Sequence, residues 1–291
     1  MICAFMSGAG NVFALIDTIH GELPTDAPAW TRRVCADASS PLYERALAAG
    51  LQAPVGRALD GVLVLAPARA AGHVAMQVLN ADGSRSEACG NGLRCLARFA
   101  RELGHAATDL VQVETEAGLR TVELLRTGGA ATRARASMGV VRLGVAEFEV
   151  ASADDHFEAR SVDVGNPHCV VFVDDLARAP VARLGAALQS DERFPRGTNV
   201  EFVHATGEGL ELRVWERGVG ETAACGTGAC AAAIAAEDRG RTELPIAVTL
   251  PGGRLLVGRG ADGEPWIEGE CLIHAMGEWT LAHEHATGEP T

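Results

Sequence analysis

Short apolar runs separated by turn residues make up most of this chain of 291 residues. Runs of this length that are rich in Val, Ile and Leu are typical of β-strands. Asn80-Ala81-Asp82-Gly83 and Pro251-Gly252-Gly253 carry the residues that favour turns between such strands. The pattern predicts strands at Val12–Ile16, Val62–Leu65, Val74–Leu79, Leu110–Thr115, Cys169–Val173, Val200–His204, Leu210–Trp215, Ile246–Leu250 and Arg254–Val257.

Two segments have the composition and spacing of longer helices. The first begins near Gly90 and has Gly104 as its C-terminal stop. The second begins near Gly226, continues through Ala229–Ala236 and stops near Gly240. Because this second helix consists almost entirely of alanine and other small residues, it is apolar on every side, and we expect it to be buried.

The segments that precede these two helices repeat one another. Ala88-Cys89-Gly90-Asn91-Gly92 and Ala224-Cys225-Gly226-Thr227-Gly228 share the pattern A-C-G-x-G and lie 136 residues apart. Gly10-Asn11 and Gly165-Asn166 precede them in the same order. Such self-similarity predicts two related halves. We place the boundary near Arg133–Ser137, which gives halves of residues 1–134 and 135–275, and we expect residues 276–291 to pack back on the first half.

Composition and charge narrow the class of protein. Hydrophobic residues make up 47% and charged residues 22% of the chain, as in an ordinary globular protein. The net charge of −13 is interrupted by no basic cluster, which argues against binding to nucleic acid or to an anionic membrane. No apolar stretch approaches the roughly 18 residues of a membrane span, and no basic segment begins a signal peptide.

The basic residues and the cysteines further limit which cofactors, metal sites and disulfides we expect. All 25 basic side chains are arginine, so pyridoxal phosphate cannot be held as a lysine Schiff base, and we expect no cofactor. None of the eight cysteines belongs to a C-x-x-C pair, so a metal site is not expected. The chain is too large and too apolar to need disulfides, and a reducing cytoplasm fits it best.

Each A-C-G-x-G segment combines a thiol with a helix start that can bind an anion. The helix dipole lowers the pKa of a cysteine at this position, and the free N–H groups of the first turn bind carboxylates. Cys89 or Cys225 taken alone could be an inert core residue, since free cysteine is often buried. The second copy of the pattern favours a function for both, whereas Cys95 and Cys230 are expected to be inert.

Two such thiols on opposite sides of one α-carbon could invert a stereocentre. One thiolate removes the α-proton from one face, and one thiol returns a proton to the other face, so the two groups titrate as a coupled unit. Two helix N-termini directed at the α-carboxylate would stabilise the charge that develops on it.

With their surroundings, these segments resemble the two signatures of the diaminopimelate epimerase family. The resemblance covers nearly the whole chain apart from the stretch from His20 to Arg57, which is longer than usual. It departs from the family at Val12, where an acidic residue commonly follows Gly-Asn. The segments that carry it are Gly8–Asn11, Asn80–Ser84, Ala88–Cys95, Gly165–His168, Thr198–Asn199 and Glu216–Ala229.

The resemblance implies an α/β (α+β) fold of two pseudo-symmetric domains. Each domain would have mainly antiparallel strands wrapped around a central helix, with the active site in the cleft between the domains. The implied activity is the interconversion of LL- and meso-diaminopimelate in the synthesis of lysine and peptidoglycan precursors. The enzyme would be a cytoplasmic homodimer without cofactor or metal.

The resemblance also implies roles for individual residues. Cys89 and Cys225 would be the acid/base thiols, and His168 and Glu216 would help to set their protonation. His168 could instead satisfy a turn, and Glu216 could instead be an ion-pair partner of Arg217 or Arg213. The backbone that holds the reacting α-carboxylate would belong to Gly90, Asn91, Gly226 and Thr227. The side chains that hold the distal end of the substrate would be Asn11, Asn80, Asn166, Asn199 and Arg217.

Two alternatives remain open at this point. The first is another cofactor-independent racemase of the same fold that acts on histidine or a proline derivative. A cluster of amides with an arginine favours a long substrate that carries a distal carboxylate. The second is a redox switch in which Cys89 and Cys225 form a disulfide. That rival protein could also be non-catalytic. For the enzyme, we predict that oxidation of the two thiols to a disulfide abolishes activity and that a reductant restores it.

Overall fold

A computed structural model describes residues 1–86, 89–127, 130–152 and 155–279. Ala88, which begins the first A-C-G-x-G copy, and residues 280–291, which were expected to pack on the first half, lie outside these ranges. The helices are α1 (Ala27–Ala36), α2 (Pro41–Ala48), α3 (Gly90–Glu102), α4 (Val181–Gln189) and α5 (Gly226–Asp238). The strands are β1 (Ile2–Gly8), β2 (Asn11–Asp17), β3 (Gly61–Pro67), β4 (Val74–Asn80), β5 (Arg85–Ser86), β6 (Leu110–Thr115), β7 (Gly118–Thr127), β8 (Ala130–Ser137), β9 (Arg142–Ser152), β10 (Asp155–Asp163), β11 (Pro167–Phe172), β12 (Asn199–Thr206), β13 (Gly209–Glu216), β14 (Gly220–Thr222), β15 (Ile246–Leu250), β16 (Gly253–Arg259), β17 (Pro265–Glu270) and β18 (Leu272–Glu278).

The strands follow one pairing scheme twice along the chain. In the first run, β2 pairs antiparallel with β1 and parallel with β3, and β4 pairs antiparallel with β3 and β5 but parallel with β6. In the second run, β11 pairs antiparallel with β10 and parallel with β12. Likewise, β13 pairs antiparallel with β12 and β14 but parallel with β15. An antiparallel ladder then leads from β6 through β7 to β8 in the first run, and from β15 through β16 to β17 in the second. β8 and β17 pair with each other.

The last strand of each run crosses to the other run. β9 pairs antiparallel with β10, and β18 pairs antiparallel with β1, where Ala4 lies opposite Met276. We propose that β1–β8 form the first half of the molecule and β10–β17 the second, with β9 joined to the second half and β18 to the first. The boundary predicted between residues 134 and 135 falls inside β8, so we propose to place it in the connection between β8 and β9.

The two predicted helices, α3 and α5, occupy equivalent places in the two runs. Residues 226–236 of α5 are all buried, as the sequence predicts for a helix that is apolar on every side. The predicted stops are confirmed, since Gly104 and Gly240 have the left-handed φ angles of +80° and +64°. Two central helices within an extensive and mainly antiparallel sheet confirm the predicted α/β (α+β) class.

The long stretch between His20 and Arg57 forms α1 and α2, which the sequence analysis did not predict. Asp26 and Ser40 cap their N-termini by accepting hydrogen bonds from backbone N–H groups. The two helices cover one face of the first half with a separate aromatic core, in which Trp30 lies 6.2 Å from Trp279 between ring centroids. Among the described residues, no helix is long and apolar enough to cross a membrane.

Candidate active site

Cys89 and Cys225 are the N-cap residues of α3 and α5. Both have an extended backbone, with φ and ψ of −144° and 100° for Cys89 and −140° and 107° for Cys225. The Cys89 sulfur accepts the N–H of Gly92 at 3.3 Å, and the Cys225 sulfur accepts the N–H of Gly228 at 3.4 Å. Each sulfur takes the place that a serine or aspartate oxygen usually fills. The sequence repeat therefore folds into two equivalent thiol caps.

The N-terminal ends of α3 and α5 lie in contact with each other. A Cβ atom added to Gly226 would lie 3.1 Å from Asn91 Oδ1 and 3.3 Å from the Asn91 backbone nitrogen. A Cβ atom added to Gly90 would lie 3.6 Å from the Gly226 Cα. The positive ends of two helix dipoles thus meet at one place, which is suited to bind a carboxylate.

A single cleft of about 1320 Å³ contains both cysteines in its walls. Its volume exceeds the roughly 300–1,000 Å³ of most small-molecule pockets, so an amino acid can enter it. Asn91 and His168 are 1% and 0% exposed and lie outside the described walls of the cleft. The other predicted site residues that line it are Asn11, Asn80, Gly90, Asn166, Asn199, Glu216, Arg217, Gly226 and Thr227.

Asn166 and Asn199 have their side-chain oxygens occupied by protein donors. Asn166 Oδ1 lies 3.0 Å from the His168 Nε2, and Asn199 Oδ1 accepts the backbone N–H of Arg217 at 2.9 Å. Both residues line the cleft, where an amide N–H group can donate to a ligand. Asn80 differs, since its Nδ2 donates to Ser84 Oγ at 3.0 Å.

Asn11 is held from both sides by a chain of polar groups. Asn91 Nδ2 donates to Asn11 Oδ1 at 2.8 Å, and Asn11 Nδ2 donates to Asp60 at 3.4 Å. Asp60 also accepts the backbone N–H of Val12 at 2.8 Å and pairs with Arg57 at 2.6 Å. The sequence analysis missed Asp60, which supplies a carboxylate beside Asn11 although position 12 itself is valine.

His168 forms a fully buried pair with Glu201, a second residue that the sequence analysis missed. His168 Nδ1 lies 2.7 Å from Glu201 Oε1, and both side chains are 0% exposed. A Cβ atom on Gly228 would lie 2.7 Å from the same Glu201 oxygen, so the carboxyl group lies against the first turn of α5. The His168 ring therefore lies between Asn166 and Glu201 and contacts both.

The thiols do not have the lowered pKa that the helix dipoles led us to expect. Burial raises the pKa of Cys89 to about 11, although the Gly92 N–H opposes this effect, and the charge of Glu216 adds to it. Burial raises the pKa of Cys225 well above its ordinary value, and the charges of Glu216 and Glu201 raise it further. Desolvation and the nearby carboxylates thus oppose the lowering that the helix ends were expected to produce.

Glu216 lines the same cleft and has a strongly raised pKa. Burial raises its pKa to about 7, against a hydrogen bond from Thr222 Oγ1 that lowers it. Arg213, one of the two ion-pair partners proposed for Glu216, pairs instead with Glu221 at 2.7 Å. In the described part of the chain, no cluster of three or more His, Cys, Asp or Glu side chains could hold a metal ion.

Solved structures with the same architecture include two that are described as epimerases. A predicted epimerase from Pseudomonas aeruginosa matches with a TM-score of 0.72 and 17% identity over 96% of this chain and 98% of that chain. A hydroxyproline epimerase from Agrobacterium vitis matches with a TM-score of 0.69 and 18% identity over 95% of this chain and 91% of that chain. At these identities the likeness shows the fold alone, and this fold occurs in amino-acid epimerases and racemases.

Comparison of sequences identifies the family. Residues 3–144 and 160–279 match the family described as diaminopimelate epimerase. The chain is 40% identical to the diaminopimelate epimerase of Desulforudis audaxviator, over 95% of this chain and 98% of that protein. It is 39% identical to the diaminopimelate epimerase of Desulfitobacterium hafniense, over 91% of this chain and 93% of that protein. The chain belongs to the diaminopimelate epimerase family and is an isomerase.

Proposed function

We propose that this protein interconverts LL-2,6-diaminopimelate and meso-diaminopimelate, with Cys89 and Cys225 as its two acid/base groups and without a cofactor. The observation that carries the proposal is the pair of thiol caps on two helix starts that touch at Gly90 and Gly226. Both thiols line the same cleft, one from each run of strands. An α-carbon bound between them would have a sulfur atom available on each face.

The reacting α-carboxylate would sit where α3 and α5 meet. Backbone groups of Gly90, Asn91, Gly226 and Thr227 form the first turns of these helices, whose N–H groups have no partner within the helix. When the α-proton leaves, its electron pair moves into the carboxylate, which then carries additional negative charge. The two helix ends stabilise this charge more strongly than the charge of the ground state, and this difference lowers the barrier.

Proton transfer would run from one sulfur to the other through the substrate carbon. Cys89 is less buried than Cys225, and the charges of Glu216 and Glu201 both oppose a Cys225 thiolate, so we propose that Cys89 becomes the thiolate that removes the α-proton of the LL isomer. The Cys225 thiol then donates its proton to the opposite face of the carbanion. The reaction ends with a Cys89 thiol and a Cys225 thiolate, and the reverse reaction uses the same groups in exchanged roles.

Glu216 would control how readily a thiolate forms. Its negative charge raises the pKa of both cysteines, and its own pKa is about 7. When Glu216 carries a proton, this charge is absent and the thiolate costs less free energy. We therefore propose that Glu216 and the cysteine pair share protons as one coupled group.

The distal end of the substrate carries a second amino group and a second carboxylate. Asn166, Asn199 and Arg217 line the cleft, and the backbone N–H of Arg217 donates to Asn199. Amide and guanidinium donors suit a carboxylate, and their number favours diaminopimelate over histidine or a proline derivative. The family resemblance also leads us to propose a cytoplasmic homodimer, which sedimentation of the purified protein would test.

The activity itself can be measured by incubating the protein with LL-diaminopimelate and separating the isomers by chiral chromatography. We expect the meso isomer to accumulate until the two forms are in equilibrium. L-Histidine, L-proline and trans-4-hydroxy-L-proline, tested in parallel, should remain unchanged. Racemisation or epimerisation of one of these, without conversion of diaminopimelate, would contradict the proposal.

A further inference from the structure

Arg94 lies one turn into α3, immediately behind the place where α3 and α5 meet. Its side chain is 0% exposed and is among the largest fully buried side chains of the described residues. Nη1 donates to the Gly90 carbonyl oxygen at 3.2 Å, and Nη2 donates to Asn91 Oδ1 at 2.8 Å. A Cβ atom on Gly269 would lie 2.9 Å from Nη2, so β17 encloses the guanidinium from the other side.

The guanidinium of Arg94 has no ionic partner among the described residues. Its Nε is buried without a hydrogen-bond partner, and the titratable groups with the largest effect on its pKa are three thiols and the guanidinium of Arg133. Those thiols belong to Cys89, Cys95 and Cys271. On β17, the nearby Glu268 pairs with Arg133 and Arg135 and not with Arg94. A buried cation without a counter-charge is unfavourable, and arginine cannot relieve this by losing its proton. Burial accordingly lowers the pKa of Arg94.

We propose that Arg94 provides the positive charge that the α-carboxylate of the substrate meets between α3 and α5. Arg94 acts through Gly90 and Asn91, so it is a positioning residue and does not itself touch the substrate. The inference rests on the proposed function, because only a substrate with a carboxylate at this place supplies the missing counter-charge. The charge on that carboxylate grows as the α-proton leaves, so Arg94 should affect the rate more than substrate binding.

Arg94 also fixes the direction of the amides beside the site. A guanidinium has only donors, so Asn91 must turn its oxygen toward Arg94 and its nitrogen toward Asn11. Asn11 accepts from Asn91 and therefore turns its own nitrogen toward the Asp60 carboxylate. A fixed cation at one end and a carboxylate at the other thus allow one orientation of both amides.

A purely structural role would make a different prediction. If Arg94 only ties α3 to β17, its replacement lowers stability but leaves the ionisation of Cys89 unchanged. If Arg94 places a positive charge at the site, its loss raises the pKa of Cys89, which this charge holds down. The ionisation of Cys89 therefore separates the two roles.

The experiment compares Arg94→Met, which removes the charge, with Arg94→Lys, which keeps it. Arg98→Met is the control, since Arg98 lies one turn further along α3, donates to the Cys271 carbonyl oxygen at 2.5 Å and pairs with Glu102 at 3.8 Å. For each variant we would measure kcat and KM for LL-diaminopimelate and the thermal unfolding temperature. Without substrate, we would measure the rate of Cys89 alkylation by iodoacetamide at pH 9, which reports the thiolate fraction.

We expect Arg94→Met to lower kcat by about 100-fold, with a smaller change in KM, because the charge that acts through Gly90 and Asn91 is needed most in the transition state. Its Cys89 alkylation at pH 9 should be slower by at least about 3-fold, since each unit of pKa changes the thiolate fraction about tenfold. Arg94→Lys should keep the alkylation rate and at least about a tenth of kcat. Arg98→Met should match the wild type in both measurements.

A folded Arg94→Met protein with unchanged kcat and unchanged alkylation would overturn the proposal, as would Arg94→Lys with losses equal to those of Arg94→Met. If Arg94→Met does not fold, Arg94→Gln takes its place, because glutamine keeps a hydrogen-bond donor without the charge. Equal alkylation rates for the Lys and Gln variants would then overturn it. Failure of the proposed function would give a different result. The wild type would leave diaminopimelate unconverted, but Cys89 would still be alkylated more slowly in Arg94→Met than in the wild type.

Discussion

Gly90 and Gly226 face each other where α3 and α5 meet, with the Gly226 Cα 3.6 Å from the position of a Cβ on Gly90. Residues 136 positions apart in the sequence are thereby in contact, and the cysteine before each glycine caps its helix. This contact places the two thiols in one cleft. A side chain at either glycine would occupy space between the two helix ends.

Gly226→Ala should impair catalysis because its Cβ would lie 3.1 Å from Asn91 Oδ1 and 3.3 Å from the Asn91 nitrogen. We expect kcat/KM for diaminopimelate to fall at least about tenfold, which is about 1.4 kcal/mol of transition-state stabilisation. Gly207→Ala is the matched control, since a Cβ there meets no atom within 4 Å. Steady-state kinetics would check this, and equal values for the two variants would show that the contact is not needed.

Glu216 should make stability depend on pH in a defined direction. Its pKa of about 7 in the folded protein lies above the ordinary 4.5, so its protonated form favours the folded state. This stabilisation is complete below pH 4.5 and is lost as the pH rises through 7. Glu216→Gln lacks this titration. Relative to the wild type, its free energy of unfolding should therefore rise by at most about 3 kcal/mol from acidic to basic pH, at about 1.4 kcal/mol per pKa unit.

Urea unfolding of the wild type and Glu216→Gln at pH 5 and pH 8 measures this gain. Glu211→Gln, on the same strand but exposed, should show the same difference from the wild type at both pH values. A constant difference between wild type and Glu216→Gln would mean that Glu216 titrates as an exposed carboxylate does.

Glu201→Gln should act on both stability and Cys225. Loss of the buried charge beside His168 should destabilise the protein by about 2 kcal/mol. Because the charge of Glu201 raises the pKa of Cys225, its removal should speed Cys225 alkylation at pH 9. Glu208→Gln, exposed in the turn between β12 and β13, is the control. Slower or unchanged alkylation in Glu201→Gln would show that the carboxylate does not act on this thiol.

Asp60→Asn should weaken substrate binding with little effect on the chemical step. Asp60 fixes Asn11 and the backbone N–H of Val12, and Asn11 is proposed to hold the distal end of the substrate. We expect KM to rise by about 3- to 10-fold at nearly constant kcat, as for lost binding that is uniform along the reaction. Asp262→Asn, exposed in the turn before β17, should leave both constants unchanged. A fall in kcat without a change in KM would place Asn11 nearer the reacting end.

The central part of the site could be predicted from sequence because its determinants are local. Five residues around Cys89 and five around Cys225 contain the cap, the small residues of the first turn and the start of each helix. Local patterns also predict the strands that lie around α3 and α5. The sequence shows that the stretch containing α1 and α2 is longer than usual, but it did not predict the two helices. With only 10 and 8 residues, they are too short for their apolar positions to stand out from those of a loop.

The supporting groups could not be predicted because they depend on tertiary contacts. Glu201 lies 33 residues from His168, and Asp60 lies 49 residues from Asn11. Neither acidic residue belongs to a motif in the sequence. The expected lowering of the thiol pKa was wrong for a similar reason, since burial and the charge of Glu216 arise only from the folded cleft.

The central claim is that two thiols act on opposite faces of one carbon. It is tested most directly by following conversion of LL-diaminopimelate in deuterated water with Cys89→Ala and Cys225→Ala, alongside Cys95→Ala and Cys230→Ala as controls from the same two helices. We predict that each variant of the first pair loses at least about 1,000-fold in epimerisation rate and that the controls remain near the wild type. Near-normal formation of deuterated meso isomer by either Cys89→Ala or Cys225→Ala would contradict the account.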